Sequence, residues 1–69
     1  MGEVHLGDAA RLVAYDAFAE DVRAELAATK GRMAELAAAG KVKTATYRQL
    51  FATRVTLKDI VRRLEERGL

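Results

Sequence analysis

Leu36-Ala37-Ala38-Ala39-Gly40-Lys41-Val42-Lys43-Thr44-Ala45-Thr46-Tyr47 is where the chain has to reverse. Gly40 can take the left-handed conformation that closes a helix, and a lysine follows it at once. Thr44 and Thr46 are both candidate helix caps. Thr46-Tyr47-Arg48-Gln49 also has the form of a capping box, in which Gln49 would reach back to the cap. Upstream, Asp8 is a favoured N-cap and residues 1–7 carry no helix signal, which predicts a tail over 1–7 and a first helix over 8–39. Downstream, Gly68 reads as a C-terminal stop, which predicts a turn over 40–43 and a second helix over 44–67. Gly31 and Thr56 could each interrupt a helix, but the apolar phase runs through both unbroken.

That phase alternates in steps of three and four. In the first helix it reads Leu12, Tyr15, Ala19, Val22, Leu26, Thr29, Met33 and Leu36, and in the second Tyr47, Leu50, Arg54, Leu57, Val61 and Leu64. Such a pattern keeps one stripe turned toward a partner helix in a left-handed supercoil. Folding the chain at 40–43 matches Leu36 with Tyr47, Met33 with Leu50, Thr29 with Arg54, Leu26 with Leu57, Val22 with Val61 and Ala19 with Leu64. The two residue numbers in every pair add to 83. The expected fold is therefore all-α, an antiparallel, coiled-coil-like two-helix hairpin. Tyr15 and Tyr47 belong to its core, with their hydroxyls at the edge. The polar layer is expected to pair Arg54 with Thr29 or with an acid of a partner chain, fixing register.

The stripes leave apolar side chains over. Phe18 and Ile60 flank the seam on one side, Phe51 lies on the other near Ala37, and Val55 is further round. A 69-residue chain folded into two helices encloses little core. This predicts a homodimer in which two hairpins form a four-helix bundle through Phe18, Phe51, Ile60 and Val55.

Composition narrows the class further. Charged residues make up 32% of the chain, and no run approaches the ~20 apolar residues that span a bilayer. The N-terminus lacks the basic and apolar regions of a signal peptide, so a cytoplasmic protein with no membrane partner is expected. There is no cysteine and a single histidine, His5, so no nucleophile–base pair is available and no enzyme activity is expected. His5 with Glu3 and Asp8 is a poor metal set, and no glutamate is followed three residues later by histidine, the motif of di-iron bundles. No cofactor or metal is expected.

Charge is divided unevenly. Residues 1–40 carry four Lys/Arg against seven Asp/Glu, whereas 41–69 carry eight against three. One consequence would be pairing between helices, with Asp16, Glu20, Asp21 and Glu25 alongside Arg54, Lys58, Arg62 and Arg63. The other would be a basic face for RNA or DNA, with Lys41, Lys43, Arg48, Lys58, Arg62, Arg63 and Arg67 as candidate contacts. The end of the chain, Ile60-Val61-Arg62-Arg63-Leu64-Glu65-Glu66-Arg67-Gly68-Leu69, resembles the recognition-helix end of winged helix-turn-helix regulators over ten residues. No wing follows, and Arg54-Val55-Thr56 lacks the turn glycine. In length and heptad pattern the chain is similar to the small plasmid proteins whose hairpins dimerise into four-helix bundles and bind paired RNA loops. None of their motifs is present to transfer. The expected function is protein–protein interaction or self-assembly by a non-enzymatic helical bundle, with nucleic-acid binding by the second helix as the alternative.

Overall fold

A computed structural model describes the main chain of residues 2–69 and the side chains of residues 7–69. Two helices, α1 (Gly2–Ala38) and α2 (Ala45–Glu66), pack against each other as an antiparallel hairpin. Neither is broken: Gly31 lies within α1, and Thr56 lies within α2 with its hydroxyl donating to the Ala52 carbonyl at 3.2 Å.

Two helix ends of the same design bound the hairpin. At the end of α1, Gly40 takes φ +73°; its amide donates to the Ala37 carbonyl at 3.0 Å and the Lys41 amide to the Leu36 carbonyl at 2.8 Å. At the end of α2, Gly68 takes φ +82°; its amide donates to Glu65 at 3.0 Å and the Leu69 amide to Leu64 at 2.9 Å. These paired bonds satisfy carbonyls that a helix end otherwise leaves open. At the second end the apolar contact that accompanies the motif is also present, since both Leu64 and Leu69 belong to the core cluster or pack on it.

Thr44, not Thr46, starts α2. Its hydroxyl accepts from the Tyr47 amide at 3.2 Å and donates to the Lys41 carbonyl at 2.8 Å, tying turn to helix. Thr46 falls inside the first turn, so the capping box with Gln49 is not used. The start of α1 also differs from the expected cap at Asp8. The helix is already under way from Gly2, and Asp8 sits within it, 3.7 Å from Arg11 in an i,i+3 pair. No proline stops the helix upstream of Asp8, and a glycine at position 7 weakens a helix by about 1 kcal/mol without ending it.

The six matched layers form the seam. Ala19, Val22, Thr29, Met33, Leu57 and Leu64 are buried, while Leu26, Leu36, Tyr47, Leu50, Arg54 and Val61 are half-buried. The core is thin: among the described residues even Ala19, the most buried, keeps 3% of its surface exposed. At 1.5 Å per residue, α1 is about 55 Å long and α2 about 33 Å. The stripe on α1 therefore outruns its partner. Leu12 and Tyr15, expected in the core, are 64% and 56% exposed because α2 ends before reaching them.

Candidate association surface

Three features of the described residues bear on function: an apolar groove on α1, an aromatic–cationic patch on α2, and unshared basic charge. The groove lies on the outer part of α1. Arg11, Ala14, Tyr15 and Phe18 line an open depression of about 270 Å³. These residues fall at i, i+3, i+4 and i+7, so a single helical face carries them. Val13 beside it is also exposed.

The patch on α2 centres on Phe51 and Val55, which are 47% and 54% exposed. The guanidinium carbon of Arg54 lies 4.7 Å from the Phe51 ring centroid. Arg54 does not pair with Thr29 as expected. The Thr29 hydroxyl donates to the Glu25 carbonyl of its own helix at 2.8 Å, and the buried Arg54 Nε has no acceptor. A threonine inside a helix has the i−4 carbonyl within constant reach, and that local bond wins over one across the seam.

Of the four residues expected at an interface, Phe18, Phe51 and Val55 are exposed, while Ile60 is half-buried against the cluster of Ala19, Val22, Leu57 and Leu64. They do not form one patch. In an antiparallel pair, positions just before the seam on both helices share one side and positions just after it share the other. Phe18 and Ile60 each precede a seam residue, and Phe51 follows one, so Phe18 and Phe51 lie on opposite sides of the hairpin.

Among the described residues no ion pair joins the two helices, contrary to the expected acid-to-base match. All four pairs are local: Arg11–Asp8, Arg62–Asp59, Arg62–Glu66 and Arg63–Asp59. The acids of α1 (Asp16, Glu20, Asp21 and Glu25) are all exposed, and a residue three or four places along the same helix is closer than one across the hairpin. Asp59 is the hub, accepting from Arg62 Nη2 at 2.6 Å and from Arg63 Nε at 3.1 Å. The Arg62 hydrogen bond holds the Asp59 carboxyl below its ordinary value against the opposing effect of desolvation, with Arg63 adding to the pull. Reciprocally, Asp59 and then Glu66 push the Arg62 guanidinium further up.

The other candidate nucleic-acid contacts, Lys41, Lys43, Arg48, Lys58 and Arg67, are exposed, and among the described residues none is within 4 Å of a carboxylate. Arg48 makes one main-chain bond, to the Lys43 carbonyl at 3.4 Å. Arg23 is a contact that the sequence reading does not single out. It is half-buried and donates to the Leu69 carbonyl at 2.6 Å.

The side chains of Glu3 and His5, two members of the weak metal set, lie outside the described residues. Among the described residues, no three His, Cys, Asp or Glu side chains gather at one point. None of the described helices is long and apolar enough to cross a membrane. Comparison with protein-family models, with curated proteins and with solved structures finds no match to this chain.

Proposed function

We propose that this chain is a non-enzymatic helical-hairpin module that acts by self-association, each pair of adjoining hairpins making a four-helix bundle. One observation carries the reading: the hairpin leaves too much surface wet for a chain of its mass. A folded monomer of 7.6 kDa exposes about 4,300 Å², whereas this one exposes 5456 Å². The difference reflects an elongated two-helix shape in which α1 outruns α2 and little surface is enclosed. Apolar side chains stand on the open surface, with Phe18, Phe51 and Val55 each about half exposed. The absence of cysteine and the presence of one histidine supply no catalytic pair. Sedimentation velocity of the full chain and of Phe51→Asp tests this. The parent is expected to sediment as an assembly and the variant as a smaller species; identical sedimentation of the two overturns the role of Phe51.

A second reading, RNA or DNA binding along α2, is favoured by the basic side chains that find no carboxylate partner among the described residues, Lys58 and Arg67 foremost. Phosphate contacts by Lys and Arg give affinity that falls steeply with salt. Gel-shift assays at low and high salt separate the two readings. Tight, salt-sensitive shifts favour the second, and no shift at low salt removes it.

A further inference from the structure

We propose that two copies associate front to back, the outer stripe of α1 in one lying parallel to the outer stripe of α2 in the next. This rests on the self-association reading and specifies its contact.

The two stripes have the same internal spacing. On α1 the outward positions on the Phe18 side are Ala14, Phe18, Asp21 and Glu25, and on α2 those on the Phe51 side are Phe51, Val55, Lys58 and Arg62. Both advance by four, three and four, so they meet in one register, the residue numbers differing by 37 throughout. Ala14 then faces Phe51, Phe18 faces Val55, Asp21 faces Lys58, and Glu25 faces Arg62. Each match has the chemistry a contact needs. Ala14, with Arg11, Tyr15 and Phe18, lines the open apolar depression on this face of α1. Phe51 stands 47% exposed to fill it, and an aromatic anchored in a pocket is the usual centre of an interface. Neither Asp21 nor Lys58 has an ion-pair partner among the described residues of its own chain. Arg62 is already shared by Asp59 and Glu66, so the charge specificity rests chiefly on Asp21 with Lys58. One neighbouring position is unfavourable: the same register sets Arg11 against Arg48, and Arg11 has Asp8 beside it at 3.7 Å.

The two stripes lie on opposite sides of the hairpin, so one pair of copies cannot use both at once. The contact is heterologous, and each added copy presents a fresh face, which builds a ring or an open stack instead of a closed twofold dimer. In this arrangement the next copy turns by half a revolution. Its α2 then lies along residues 8–29 of α1, reaching over the 8–16 stretch that the chain's own α2 leaves bare.

Mixing complementary face variants of the full chain tests the proposal. Phe18→Asp spoils one face and Phe51→Asp the other; both rings are about half exposed, so helicity by circular dichroism should equal the parent's. Each variant alone is expected to be monomeric, and an equimolar mixture to form one two-chain species and nothing larger. If one variant keeps the parent's size, or the mixture sediments as its separate parts, the front-to-back contact is wrong. A monomeric parent removes the self-association reading itself. The register has its own check, which does not touch the rings. Asp21→Lys and Lys58→Glu should each raise the dissociation constant about fivefold, and the two together in one chain should return it toward the parent's. Additive weakening in the double variant contradicts the register.

Discussion

The Arg23 guanidinium donates a 2.6 Å hydrogen bond to the main-chain carbonyl of Leu69, 46 residues along the chain. This closes the open end of the hairpin. The positive group also sits where α2 ends, the negative pole of the helix dipole. Leu69 packs its side chain on the core cluster while its carbonyl accepts from α1, so the last turn of α2 is fixed from two directions. Arg23→Met keeps most of the apolar stem and removes the donor. It should cost about 1 kcal/mol, a fall of about 4–8 °C in Tm for a domain of this size, measured at one fixed chain concentration. Hydrogen exchange at the Gly68 and Leu69 amides should accelerate; unchanged exchange there would mean that the bond holds nothing.

Gly31 and Gly40 should answer the same substitution with opposite signs. Neither has an atom within 4 Å of where a Cβ would stand, so sterics do not separate them. Backbone conformation does: Gly31 is helical, whereas Gly40 has φ +73°. Gly31→Ala should stabilise by about 0.5–1 kcal/mol and Gly40→Ala should destabilise by about 1 kcal/mol. Thermal unfolding of the two variants side by side gives the comparison.

Arg54→Leu should raise stability. The substitution removes a buried Nε that has no acceptor and fills the layer opposite Thr29 with carbon. An unsatisfied buried polar group costs about 1–3 kcal/mol, against about 0.5–1 kcal/mol for the cation–π contact to Phe51 that is lost. The expected gain is therefore about 1 kcal/mol. A lower Tm would show that the guanidinium is used in the assembled protein.

Acid should loosen the end of α2 through Asp59. Its carboxyl is held below its ordinary value of 3.8 chiefly by the Arg62 hydrogen bond, so the folded helix binds fewer protons than the unfolded chain. The stabilisation is complete above the ordinary carboxylate range and is lost as pH falls through the depressed folded value. Helicity followed by circular dichroism from neutral pH into strong acid should show this loss in the parent, and a smaller acid-dependent change in Asp59→Asn.

The hairpin was legible because one physical signal, the three–four alternation, repeats along both helices and is matched at all six layers. The charges were not legible in the same way. The acids Asp16 to Glu25 and the bases Arg54 to Arg63 read as partners when helices are treated as charged blocks, but pairing is decided by a few ångströms, and Asp59 lies one turn from Arg62 and Arg63 within its own helix. Helix ends were legible only in part. Gly40 marked one correctly, whereas Asp8 looked like a cap only because the residues before it looked featureless. The role of Arg23 was hidden because it depends on where Leu69 lies in space. Its position just after the seam residue Val22, and opposite the end of α2, was the available clue. Of the surface, Phe18 and Phe51 were evident as surplus on opposite sides of the seam, whereas the packing of Ile60 against the core cluster was not, because it depends on how closely the two helices approach.

The direct test of self-association is the molar mass of the unmodified chain by static light scattering over a dilution series. The expected mass is at least twice 7.6 kDa and falls toward 7.6 kDa only on strong dilution. A constant 7.6 kDa at every concentration would contradict self-association.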